Sequence, residues 1–119
     1  MQFSEGVDKI QFYADTGLLG DVVIVHLGTN GTVDPADFDR MMTILAKVRK
    51  VVILTAKAPR PWESQVNDTI YSQARKFKNA VVLDWHTIGG AHPEYFYDDA
   101  IHLNPEGRAY YAQLVAGNL

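Results

Sequence analysis

Three short runs of branched apolar residues, Val22-Val23-Ile24-Val25, Val51-Val52-Ile53-Leu54 and Ala80-Val81-Val82-Leu83, constrain this chain more than any other feature. None shows the polar alternation of a half-solvated strand, so each reads as a strand covered on both faces in a parallel sheet. Stretches with helical spacing separate them. Phe3, Val7, Ile10 and Ala14 predict an amphipathic helix, with Gly17 placed for a left-handed C-terminal residue. Asp34-Pro35 reads as a cap and first helical residue, ahead of a buried stripe of Phe38, Met41 or Met42, Leu45 and Val48. After a two-proline loop, Ala56 to Trp62, the stripe is Val66, Ile70, Ala74 and Phe77; Asn104-Pro105 opens a last helix that closes near Gly117. Between Asp84 and Asn104 the pattern is irregular, and loops that long in small domains usually carry function.

Strands alternating with helices imply right-handed crossovers and an α/β sandwich with a parallel sheet. In such sheets sites lie beyond the carboxyl ends of the strands, so Gly28-Thr29-Asn30-Gly31, the Ala56 to Trp62 loop and the Asp84 to Asn104 segment are expected to converge. A chain of 119 residues forms one domain, and without cysteine it has neither disulfides nor thiolate metal sites. Its apolar fraction of 47% and charged fraction of 21% suit a folded globular domain. A net charge of -3, with no basic run longer than the Lys47 to Lys50 neighbourhood, argues against nucleic acid as the main partner. No stretch reaches the roughly 18 apolar residues of a membrane span, and Met1 to Glu5 lacks the pattern of a signal peptide.

Asp99-Ala100-Ile101-His102 sets a carboxylate three residues before an imidazole, close enough to accept from one ring nitrogen while the other faces a substrate. Asn30 follows a buried strand in a turn between two glycines, where its amide can donate to a developing oxyanion or merely shape the turn. Asp84, His86, His92, Asp98, Asp99 and His102 form a competing metal reading, but none of their pairs has the i, i+4 spacing of a zinc protease; no metal and no cofactor is expected. His26, inside an apolar strand, reads as a buried, hydrogen-bonded histidine. Arg60, Trp62, Trp85, Tyr95, Phe96 and Tyr97 fall in the crevice loops. Of these, Arg60, Trp62, Tyr95 and Tyr97 are the candidate substrate contacts, with core packing as the alternative for Trp62, Tyr95 and Phe96 and a pair with Glu63 as the alternative for Arg60.

Val22 to Gly31 (VVIVHLGTNG) resembles the Asn-bearing block of the SGNH-type hydrolases, and Asp99 to Pro105 (DAIHLNP) their Asp-x-x-His block. The segments APRPWE at Ala58 to Glu63, with Asn67, and HPEYFYDD at His92 to Asp99 resemble one branch: SGNH domains of integral-membrane acyltransferases that O-acetylate peptidoglycan or other surface glycans. The resemblance implies a flavodoxin-like three-layer α/β/α domain and acetyl transfer or ester hydrolysis through a Ser-His-Asp triad. In it His102 is the base, Asp99 its orienter and Asn30 an oxyanion donor. It also implies an extracytoplasmic location.

The Gly-Asp-Ser block that carries the nucleophile does not occur in the chain, nor does the block whose Gly donates to the oxyanion. Ala100 stands where the branch commonly has Gly. The chain opens on a helix with no strand before it, so residues 1–119 read as an N-terminally truncated domain with the first strand missing. By the family's strand order that strand would pair with Val22 to Val25, which leaves an open edge for a second copy or a supplied N-terminal segment. Ser4, Ser64 and Ser72 sit in helical patterns, and Thr29 in a turn, so none is placed as a nucleophile. The chain alone is expected to lack ordinary esterase activity. A non-catalytic carbohydrate-binding or assembly module is the alternative.

Overall fold

The computed structural model describes residues 1–119. Three parallel strands, β1 (Val22–Val25), β2 (Lys50–Leu54) and β3 (Ala80–Leu83), lie in that order, with Val23, Val25 and Ile24 opposite Val51, Ile53 and Val52. The helices are α1 (Phe3–Asp15), α2 (Pro35–Ile44), α3 (Glu63–Ala74), α4 (Trp85–Gly90) and α5 (Pro105–Ala116). Helices on both faces of the sheet make a three-layer α/β/α sandwich. The expected starts hold for physical reasons: the Asp34 side chain accepts from the Ala36 N–H at 2.8 Å, and the Asn104 side chain accepts from the Gly107 N–H at 2.9 Å. Gly17 takes the left-handed conformation after α1, at φ +72°.

One face of the sheet holds the main core. Phe3, Val7 and Ile10 of α1, Phe38, Met41 and Met42 of α2, and Val66, Ile70 and Ala74 of α3 pack with Val25, Val51 and Ile53. The other face is thinner, with Val52, Leu54, Leu83, Trp85, Phe96 and Val115 buried together under α5. Burial of all three strands on both faces therefore does not hold. In the row Ile24, Val52 and Val81, the middle residue is fully buried while its neighbours are 43% and 40% exposed. A helix about 10 Å across covers about two strands spaced about 4.8 Å apart, and α5 lies over the centre.

The irregular segment from Asp84 to Asn104 is more ordered than its sequence implies. Asp84 caps α4 by accepting from the Thr87 N–H, and Pro93–Tyr95 forms a 3-10 turn. A single antiparallel bridge between Phe96 and Leu103 then closes a loop that carries Asp99 and His102. Gly107 is required where this loop meets α5, because a Cβ there would run into the Tyr95 carbonyl.

Candidate active site

The site begins where β1 ends. Its last turn, Gly28–Asn30, packs so closely on α3 that a Cβ on Gly28 would meet the Val66 side chain at 2.6 Å. The Trp62 indole N–H donates to the Thr29 carbonyl at 2.9 Å and ties the turn to the loop after β2. That loop is itself braced. Asn67 accepts from the Ala56 N–H at 2.7 Å and donates to the Ala56 carbonyl at 2.9 Å, while Glu63 accepts from the Ala58 N–H at 2.6 Å. The Asn30 side-chain amide donates to the Met1 carbonyl at 3.2 Å, and its backbone carbonyl accepts from Gln2 at 2.9 Å.

Across the cleft stands the Asp99–His102 pair. One Asp99 oxygen accepts from the backbone N–H groups of Ile101 and His102 at 2.9 and 3.0 Å, and the other meets His102 Nδ1 at 2.5 Å. The imidazole, followed by the two N–H groups, holds the Asp99 carboxyl well below the usual carboxylate range. His102 Nε2 makes no bond within the chain, and the side chain is 77% exposed, so that nitrogen is free for a substrate.

The loop turns at Ala100, the one non-glycine residue with positive φ, at +58°. There lies the reason glycine suits the position: the left-handed conformation strains a side chain. Lys57 holds the turn, its ammonium donating to the Ala100 carbonyl at 2.8 Å while lying 3.8 Å from the centre of the Phe96 ring. Burial pulls the Lys57 ammonium below its ordinary value, and the Glu63 and Asp99 carboxylates act in the opposite direction.

Asn30, Arg60, Trp62 and His102 line a common cleft of about 510 Å³ with His26 and Ile101. Across Ile101 and His102 it continues into a second cleft of about 570 Å³, where Tyr97 and Arg108 stand with Trp85 and Tyr111. Three of the four candidate contacts thus divide between the two clefts, Arg60 and Trp62 in the first and Tyr97 in the second. The Arg60 guanidinium donates only to the Pro59 carbonyl, at 3.2 Å, and makes no pair with Glu63. Tyr95 lines neither cleft; it stacks on His92 and meets Tyr110 at a tilt, at 4.9 and 5.0 Å between ring centres. Sequence reasoning missed Lys57, Arg108 and Tyr111, since an isolated cation or tyrosine has no local pattern to mark it. It placed His26 inside a strand as a buried, hydrogen-bonded histidine; the residue stands just past β1 and is half-buried, its Nδ1 lies 2.8 Å from the Tyr111 hydroxyl, and burial lowers its pKa.

The residues of the metal reading disperse. His86 pairs with Glu63 at 3.0 Å, His92 with Glu94 at 2.9 Å and His102 with Asp99, so no three of them converge. Ser4 lies on α1, and Ser64 and Ser72 on α3; the hydroxyls that line the two clefts belong to Thr29, Tyr97 and Tyr111.

No family model matches the chain. Over 106 residues, 89% of its length, it is 33% identical to YrhL of Bacillus subtilis (strain 168), provisionally named a peptidoglycan O-acetyltransferase. Over 95 residues, 80% of its length, it is 34% identical to the O-acetyltransferase OatA of Staphylococcus aureus (strain NCTC 8325 / PS 47). The chain spans only 17% and 16% of the length of these two relatives. With that similarity over most of its own length, the chain is an O-acetyltransferase-related domain.

Proposed function

We propose that the chain supplies the base, its orienter and one oxyanion donor of an SGNH-type site that moves an acetyl group onto a hydroxyl of a cell-surface glycan such as peptidoglycan. The observation that carries this is the 2.5 Å contact of Asp99 with His102 Nδ1, on a cleft that Asn30 also lines. An anionic partner at Nδ1 fixes the tautomer whose Nε2 accepts a proton and stabilises the imidazolium that results. The names of YrhL and OatA support the acetyl group as cargo, and that of YrhL supports peptidoglycan as the acceptor.

The nucleophile is a serine from a segment outside the 119 residues, since no serine of this chain lines either cleft. Its hydroxyl attacks the acetyl carbonyl as His102 Nε2 takes the proton. The carbonyl oxygen becomes an oxyanion and accepts from the Asn30 amide. Collapse breaks the ester bond, and His102 returns the proton to the leaving alkoxide. The sugar hydroxyl then repeats the sequence on the acetyl-serine, releasing the acetylated glycan and restoring the serine. Arg60 and Trp62 on one side, and Tyr97 on the other, hold the acceptor. The same serine-bearing segment pairs with the outer edge of β1, where Ile10, Tyr13, Leu19, Val23 and Ile24 line an apolar groove of about 340 Å³.

The test is Asp99→Asn in a polypeptide that joins this chain to the serine-bearing segment, assayed for acetyl transfer from nitrophenyl acetate to a peptidoglycan fragment. Turnover is expected to fall by about 10³–10⁴ with glycan affinity unchanged, because an amide at Nδ1 favours the wrong tautomer. Unchanged turnover overturns the triad. Glycan binding with no turnover in either protein would make the chain a carbohydrate-binding module.

A further inference from the structure

Six of the eleven Lys and Arg residues lie in two four-residue segments, Lys47-Val48-Arg49-Lys50 and Arg75-Lys76-Phe77-Lys78, and neither segment contains an acid. The segments lead into β2 and β3, and parallel strands start at the same edge, so both come to the end of the sheet opposite the clefts. Asn79 ties them together by donating to the Leu45 and Val48 carbonyls at 3.1 and 3.0 Å. Arg49 pairs with Asp21 at 2.7 Å and Lys76 with Asp39 at 3.1 Å. Lys47, Lys50, Arg75 and Lys78 have no acidic partner within 4.0 Å. Over the rest of the chain acids outnumber cations, so a protein of net charge -3 carries a basic pole.

Between the two segments lies a cleft of about 710 Å³, with unpaired Lys78 and the ion-paired Arg49 and Lys76 on its rim and Met42, Val48 and Phe77 among its apolar lining. A cationic rim around an apolar floor matches an amphiphilic anion: a phosphodiester for the ammonium and guanidinium groups, with hydrocarbon beside it. The lining has a single aromatic, half-buried Phe77, and lacks the stacking surfaces that nucleic acid binding uses.

We propose that this basic pole docks on the anionic surface of a phospholipid bilayer and turns the acetyl-transfer clefts, at the opposite end of the strands, away from the lipid. The inference rests on charge and topology and stands whether or not the triad reading holds. Flotation of the chain with vesicles of phosphatidylcholine, alone or with about a third phosphatidylglycerol, tests it. In about 50 mM salt the anionic vesicles are expected to bind at least about tenfold more tightly, and about 500 mM salt should release the protein.

Lys47→Gln, Lys50→Gln, Arg75→Gln and Lys78→Gln together should bring binding down to the phosphatidylcholine level, while Lys9→Gln on α1 should not change it. If the fourfold variant does not fold, Lys47→Gln and Lys78→Gln singly should each weaken binding. Equal binding to both vesicles, or wild-type binding by a folded fourfold variant, overturns the proposal. So does capture by inorganic polyphosphate but by neither vesicle, which would assign the pole to a soluble polyanion.

Discussion

The two faces of the sheet are built differently. Under α1, α2 and α3, sixteen buried residues form a continuous core, whereas under α4 and α5 only six are buried together. The thin face nonetheless carries the loop with Asp99 and His102, which docks on α5. The consequence is a division of labour: the thick face supplies stability through apolar area, and the site loop depends on a few polar ties. Lys57 to the Ala100 carbonyl, Asn104 to the Glu94 carbonyl at 2.8 Å, and the close seat of Gly107 under Tyr95 are the principal ones.

The difference between the faces is tested most sharply by truncating one fully buried side chain on each. Phe38, fully buried between Phe3 and Phe77, should lose about 3–5 kcal/mol of unfolding free energy as Phe38→Ala in urea denaturation. Val52→Ala, in the smaller cluster, should lose about 2 kcal/mol. Ile24→Ala, one strand away in the same row, should stay within about 0.5 kcal/mol. A cost at Ile24 equal to that at Val52 would mean that the thin face is covered in solution.

The polar ties give a second test. Lys57→Met should lower global stability by no more than about 1.5 kcal/mol, yet it should weaken the His102 Nδ1–H signal seen by nitrogen–proton NMR. Lys57→Arg should restore much of that signal. Loss of stability without change at His102 would make Lys57 an ordinary packing residue. Ala100→Gly should gain up to about 1 kcal/mol by relieving the left-handed strain, and a loss would show that the φ is not left-handed.

Acid sensitivity separates the faces as well. His26, between β1 and α5, has its folded pKa lowered by burial, so the unfolded chain binds a proton first as pH falls below about 6.5. Its contribution to stability is therefore present above that pH and is lost as pH falls through the folded value. Melting temperatures of wild type should drop more between about pH 7 and about pH 5 than those of His26→Gln. Parallel curves would contradict the burial of that ring. The Asp99 carboxyl, also lowered, contributes above the usual carboxylate range of about 4 and is lost only on stronger acidification.

Much of the scaffold was legible because period and capping are local. Branched runs, Asp34-Pro35 and Asn104-Pro105 mark elements without reference to anything distant. The meeting of Asn30 with His102 followed from one topological rule about strand ends. The rest depended on tertiary partners. Helix α4 is short, with Gly89 and Gly90 at its end, and stands because Asp84 caps it and the Thr55 hydroxyl accepts from the His86 N–H at 2.9 Å. Exposure of Ile24 and Val81 reflects how far one helix reaches, and Tyr95 turned from the clefts to pack on His92 and Tyr110.

Acetyl transfer at this site requires Asn30 and His102 to address one ligand. Titration of methylphosphonate, a small tetrahedral anion, into the isotopically labelled chain addresses this directly by following the Asn30 side-chain amide and the His102 imidazole together. Both resonances should move along a single binding curve, and Asn30→Ala should weaken the response at His102. Movement of one group alone, or two curves with separate midpoints, would contradict a shared site.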